Sequence, residues 1–147
     1  MMQRKWNIFL AFCFSVLCAL SLFACGAKKD TGALVCSLVE NGKTRVVISV
    51  GDTDGNCTLL DCMEKLKMDE EGFTFEIVSG MVTSINGVEN PADWSYCWML
   101  YTSDVEMANA EWGTVKYKDA TLGSAIVGAN ALTVTAGEIY VWEYVAF

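Results

Sequence analysis

Histidine is absent from all 147 residues. That excludes Ser/His/Asp and Cys/His nucleophile pairs and every imidazole metal site, because each needs the ring as base or ligand. It also removes the one side chain that titrates near neutrality without help. Basic residues are scarce: ten Lys and Arg face eighteen Asp and Glu, a net charge of −8. With no basic patch to neutralise phosphates, nucleic acid is excluded as a partner. Proline occurs once, at Pro91, and no internal repeat is present. Apolar residues make up 53% of the chain, yet the longest apolar run, 8–23, holds sixteen residues. That is short of the ~20 needed for a permanent membrane-spanning helix.

The same short run has a clear reading in context. Arg4 and Lys5 precede it, and a positive flank followed by a short apolar core is the pattern of an export signal. It ends at Leu22-Phe23-Ala24-Cys25, followed by Gly-Ala-Lys-Lys-Asp. This resembles the lipobox of bacterial lipoproteins, in which a small residue precedes a cysteine that becomes the lipidated N-terminus. The resemblance implies a diacylglyceryl group on Cys25, cleavage between Ala24 and Cys25, and anchorage to the outer face of the bacterial cytoplasmic membrane. At ~0.8 kcal/mol per buried CH2, two acyl chains hold far more firmly than one. Cleavage would leave eight basic residues against eighteen acids, a net −10, suited to a solvated cell-surface protein.

Of seven cysteines, Cys13 and Cys18 fall in the signal and Cys25 is the lipidation site. Cys36, Cys57, Cys62 and Cys97 remain, which allows three pairings or none. Cys57 and Cys62 lack the spacing of a zinc or redox pair, and the four are read as mostly buried free thiols, with a bridge after export left open.

The expected organisation is a signal peptide over 1–24, a tether and lead-in over 25–42, and one domain over 43–147. Residues 45–50 alternate, with Val46, Ile48 and Val50 on one face, and predict a strand. The stretch Asp52-Thr-Asp-Gly-Asn56 offers oxygen ligands at calcium-like spacing. Counted from Asp52, however, glycine falls fourth and Met63 twelfth, where a calcium loop needs glycine sixth and an acid twelfth. The stretch is therefore a turn leading to a helix that Thr58 caps, with Asp61 in the capping-box position and Leu59, Met63 and Leu66 at helical spacing. Beyond it, 73–78 and 81–85 read as strands turned at Ser79-Gly80 and Asn86-Gly87. Residues 96–102 are apolar on both faces and predict a central strand. Residues 103–130 are ambiguous. Leu132-Thr-Val-Thr135, a turn at Ala136-Gly137 and an alternating strand over 138–145 close the chain. One helix against several strands predicts an α+β fold.

Several of these motifs occur together in an order that resembles a known family. They are Thr58-Leu59-Leu60-Asp61 opening a helix, Phe73-Thr74-Phe75 in a strand, Thr83-Ser84-Ile85-Asn86-Gly87 before a turn, Trp98 in the next core strand, and Gly137-Glu138 before the terminal strand. This set, over about 46–147, resembles the C-terminal domain of the vitamin B12 carriers transcobalamin and intrinsic factor. The resemblance implies a β-grasp-like mixed sheet packed on one α-helix, associated with binding of soluble ligands. Too few residues precede the helix for the helical barrel that completes the site in those carriers, so one-sided cover of a ligand is expected. The stretch 112–128 is longer than the carriers' final hairpin connection.

The expected function is a membrane-anchored lipoprotein with a small-ligand module, a corrinoid (cobalamin) being the ligand the resemblance implies. The alternative is a surface module that pairs with another protein or the cell wall. No catalysis and no cofactor or metal are expected. Adjacent acids such as Asp52 with Asp54, or Glu70 with Glu71, read as solvated loop residues. The candidate ligand-binding residues are Trp94, Tyr96, Trp98, Tyr101 and Trp112, since aromatic walls suit flat, partly apolar ligands. Trp98 and Trp142 also fit a core role, whereas Trp94 and Trp112 lie in polar surroundings.

Overall fold

A computed structural model describes residues 33–147. The expected signal segment 1–24, the expected lipidation site Cys25 and the start of the expected tether lie outside the described residues. The described chain is mostly β, with one short helix.

That helix, α1 (Leu59–Asp69), starts where its cap dictates. Thr58 is extended (φ −94°, ψ 166°), its hydroxyl accepts from the Asp61 N–H, and the Asp61 carboxylate accepts from the Thr58 N–H at 2.7 Å. This reciprocal box satisfies donors that a helix start otherwise leaves unpaired. Two more are taken by a distant loop: Leu59 N–H donates to the Leu132 carbonyl (2.8 Å) and Leu60 N–H to that of Ala129 (3.0 Å). Leu59, Cys62, Met63 and Leu66 form the buried stripe. Ahead of the cap, Asp52 and Asp54 accept from the backbone N–H groups of Thr53 and Asn56, both at 2.9 Å, as turn residues do.

The main sheet has six strands: β1 (Val35–Asn41), β2 (Arg45–Asp52), β6 (Tyr96–Thr102), β7 (Ala108–Tyr117), β8 (Ala120–Ala125) and β9 (Ile139–Ala146). Their order is β1-β2-β9-β6-β8-β7. A smaller sheet holds β3 (Phe75–Val78), β4 (Met81–Ile85) and β5 (Val88–Glu89). The expected helix on one sheet face is present. The expected mixed sheet is not, because every described pairing is antiparallel. The C-terminal strand β9 enters between β2 and β6 and runs opposite to both, which leaves no parallel neighbour.

Alternation along the central strands divides two cores. Val46, Ile48, Val50, Trp98, Leu100, Tyr140 and Trp142 face the helix stripe, joined by Phe73, Phe75, Val82 and Ile85 from the small-sheet region. Val47, Tyr101 and Val141 point the other way and pack with Leu122 under the β7–β8 hairpin. That hairpin fills the segment whose sequence was ambiguous. Its register jumps between Asn109 and Thr114, so residues 110–113 bulge outward.

Two further segments differ from expectation. The region assigned to tether and lead-in contains β1, which pairs with β2 and turns Leu34, Cys36 and Leu38 toward the main core. Residues 132–135 form no hairpin with β9. They run past the helix start, with Thr133 bridged to Thr58 and Val134 N–H donating to the Cys57 carbonyl. Leu132 and Val134 are buried there; both ladder sides of β9 are already occupied by β2 and β6.

The small sheet is folded by two tight turns. Ser79-Gly80 and Asn86-Gly87 have positive φ at both positions (53° and 83°, 50° and 76°), the geometry that suits two-residue hairpins and makes glycine the natural second residue. Asn86 also ties this sheet to the main one. Its amide donates to Asn41 Oδ1 and to the Gly42 carbonyl (3.0 Å), and its Oδ1 accepts from Thr74 N–H (3.1 Å).

Thr58→Ala is expected to lower stability by about 1 kcal/mol through loss of the cap. Met63→Ala, which empties a fully buried position, should cost about 2–5 kcal/mol. Denaturant unfolding followed by circular dichroism gives both values, and equal costs would contradict the assignment of cap and core.

Candidate functional site

Strand β6 is bordered unequally. All seven of its residues pair with β9, but only Tyr101 and Thr102 pair with β8. After Ala125 the chain leaves the sheet, so the first half of β6 has no strand on that side. The small sheet takes its place. Trp98 N–H donates to Asn90 Oδ1 (3.0 Å), Trp98 Nε1–H donates to the Val88 carbonyl (2.8 Å), and Asn90 Nδ2 donates to the Val82 carbonyl (3.2 Å).

This substitution is incomplete, and a cavity of about 430 Å³ remains. Residues 79–82, 98–100 and 124–129 and Trp142 line it. At one end the backbone closes it: a Cβ on Gly128 would stand 3.2 Å from Asn130 Oδ1 and 3.5 Å from the Gly80 carbonyl. A glycine lets the loop approach the β3–β4 turn this closely. The walls are mainly apolar, from Met81, Val82, Leu100, Ile126 and Val127, with Ser79 and Ser124 as hydroxyl bearers.

Trp142 gives the cavity its chemistry. The residue is 4% exposed, and its Nε1–H, itself closed off from solvent, has no acceptor among the described residues. Leaving such a donor unmet costs about 1–3 kcal/mol, and buried indoles ordinarily find a partner. Trp98, on the neighbouring strand and also against the cavity, has its Nε1–H satisfied. Of two buried indoles beside one cavity, one is bonded and the other, closed off from solvent, has no acceptor among the described residues.

The five sequence candidates separate. Trp98 lines the cavity. Tyr96 joins it through Tyr144, whose ring lies 5.3 Å from that of Trp98 and 5.5 Å from that of Tyr96, stacked on the latter. Tyr101 is buried on the opposite face; burial, with Glu143 nearby, pushes its phenol above the usual value, so it stays protonated. Trp112 projects from the β7 bulge, 61% exposed, and Trp94 occupies a turn after Pro91 at φ 57°, 48% exposed. The set therefore does not converge on one concavity. Alternation along β9 placed Trp142 on the same face as Tyr140 and Tyr144, but its unmet donor depends on neighbours from three distant segments.

A second hollow, of about 310 Å³, lies between the helix end and the small sheet, lined by Lys67, Phe75, Glu76 and Glu89 among others. Its cation is already engaged, with Lys67 Nζ 5.0 Å from the Phe75 ring centroid. Among the described residues no group of three or more His, Cys, Asp or Glu side chains is placed to hold a metal ion.

The chain matches no family model, no curated protein and no solved structure in the comparisons made.

The two indoles predict different stability costs for the same change of shape. Trp98→Phe breaks a buried hydrogen bond and strands the Val88 carbonyl, whereas Trp142→Phe removes a donor that has no partner. Trp142→Phe should therefore cost at least about 1 kcal/mol less than Trp98→Phe. Urea midpoints of the two variants decide it; an equal or larger cost for Trp142→Phe would show that its indole N–H is satisfied in the free protein.

Proposed function

We propose that this protein is a lipid-anchored cell-surface module that captures a small, flat, largely apolar ligand in the cavity between β6 and the small sheet. The observation that carries this reading is the mainly apolar cavity itself, with the side chains of Trp98 and Trp142 among its lining and the Trp142 indole N–H, closed off from solvent, lacking an acceptor among the described residues. The apolar body of a ligand covers Leu100, Val82 and Val127, and an acceptor on it that parts the lining and reaches the Trp142 N–H regains a buried hydrogen bond. The volume lies at the lower end of the ~300–1,000 Å³ range of small-molecule pockets, enough for one ring system or the edge of a larger planar molecule.

The resemblance to the C-terminal domain of the B12 carriers supports a corrinoid as that larger molecule, seated by one edge and covered on one side. On this reading the helix held against one sheet face is a β-grasp-like arrangement with wholly antiparallel pairing. The chain's part is binding, not catalysis. The lipobox-like end of the signal supports an anchor through Cys25 at the outer face of the membrane.

Indole emission should change as ligand is titrated, because Trp98 and Trp142 line the site. Cobalamin, smaller corrinoids and simple planar heterocycles are the probes. Trp142→Phe should weaken binding about tenfold, the equivalent of ~1.4 kcal/mol for one buried hydrogen bond. No response to any corrinoid at millimolar concentration rejects the corrinoid; a response that Trp142→Phe leaves intact rejects the site. Separately, Cys25→Ser should move the protein from the membrane fraction to the soluble one, and retention in the membrane would refute the lipid anchor.

A second reading has its own observation. β1 borders the main sheet, and among the described residues no strand pairs with its outer side, while Val35 and Val39 stand exposed on it. Such an edge accepts an added strand from a surface protein or a wall-associated one. A photo-crosslinking residue at Val39 on intact cells should then yield an adduct; a bare monomer band would remove this alternative.

A further inference from the structure

The four cysteines of the described chain are reduced, but two of them meet. Cys36 belongs to β1, where it pairs with Val50, and points into the main core. Cys62 is on the buried stripe of α1, with no exposed surface. The Cys36 thiol donates to the Cys62 carbonyl oxygen at 3.8 Å, which brings the two residues together across the strand–helix boundary. The residues are 26 positions apart, so a bond between them would close a loop containing β2 and the whole turn before the helix. Cys57 and Cys97 belong elsewhere: Cys57 Sγ is turned to the Asp54 carboxylate, and Cys97 is on β6 opposite Val145.

We propose that Cys36 and Cys62 are a disulfide-forming pair that fastens the edge strand β1 to the helix. The step balances with an external disulfide as oxidant. The Cys36 thiolate attacks one sulfur of that disulfide, forming a mixed disulfide and expelling the first small thiolate. The Cys62 sulfur then attacks the Cys36 sulfur, loses its proton, and expels the second thiol. The external disulfide is reduced to two thiols and the protein pair is oxidised by two electrons.

The environments of the two thiols fit this order. The contact with Cys62 and the Lys65 ammonium nearby hold the half-buried Cys36 thiol below its usual value, against the effect of its own burial. The same contact and deep burial push Cys62 well above the usual range. The accessible thiol is thus the readier nucleophile, and the protected one is left to resolve the mixed disulfide. A bond here acts on an edge of the sheet, because β1, like β7 at the other end, has a described neighbour on one side only. This inference does not depend on what the cavity binds.

The test uses the full chain, purified in detergent, reduced and then incubated with oxidised glutathione. Trypsin digestion should give peptide 30–43 linked to peptide 46–65, also in a Cys57→Ser variant and not in Cys62→Ser. The oxidised protein should melt about 5 °C or more above the reduced one, a difference that Cys36→Ser abolishes. Recovery of both Cys36 and Cys62 as alkylated thiols, linkage of Cys36 to Cys57 instead, or a glutathione adduct that persists on Cys36 would each overturn the proposal.

Discussion

The unequal bordering of β6 organises the molecule. A strand buried on both faces must also satisfy its backbone on both edges, because unpaired amides away from water are costly. β9 serves one edge over the whole length, but β8 serves the other at two positions. On that edge the Trp98 N–H is met by the side chain of Asn90, just after β5, while the Val88 carbonyl takes the Trp98 indole N–H. A strand repeats at a fixed spacing, whereas a turn and a side chain do not. The mismatch leaves room beside Trp98 and Leu100, and that room is the cavity.

The same strand order explains the two cores. β9, the last element of the chain, lies third in a sheet of six, between β2 and β6. Its alternating residues supply both faces: Tyr140 and Trp142 go to the helix side, Val141 to the hairpin side. Polar groups at the strand ends are paired as well. The Arg45 guanidinium meets the Glu143 carboxylate with two bonds across β2 and β9, and Ser103 Oγ bonds both Glu138 and the Ile139 N–H. The central sheet is therefore complete only when the C-terminus has joined it, an arrangement dominated by pairings distant in sequence.

Features governed by near neighbours were legible in the sequence. The Thr58–Asp61 box, the stripe Leu59, Met63 and Leu66, the Asn86-Gly87 turn and the two faces of β9 each follow from residues within a few positions of one another. Features set by distant pairing were not. β1 mixes apolar and polar residues, and its inward Cys36 and Leu38 acquire meaning through Val50 and Ile48 of β2. Residues 132–135 have strand-like alternation, but their groups serve the start of a helix more than seventy positions earlier. The aromatic candidates show the limit most sharply. Composition identifies Tyr101 and Trp98 as equals, while the parity of β6 sends one to each face. Trp142 differs from Trp98 in having no acceptor among the described residues, and no local pattern encodes that.

The loop after β8 has two duties. Residues 126–129 form part of the cavity wall, and the carbonyls of Ala129 and Leu132 hold the first two amides of α1. Wall and helix start are thus mechanically one piece, joined by hydrogen bonds of 3.0 Å and 2.8 Å that tolerate little displacement. An occupant that shifts the loop strains the helix entrance, and slackening of the helix entrance alters the cavity's shape. A displacement of that loop would in this way reach the start of a helix whose far end stands in solvent at Met68.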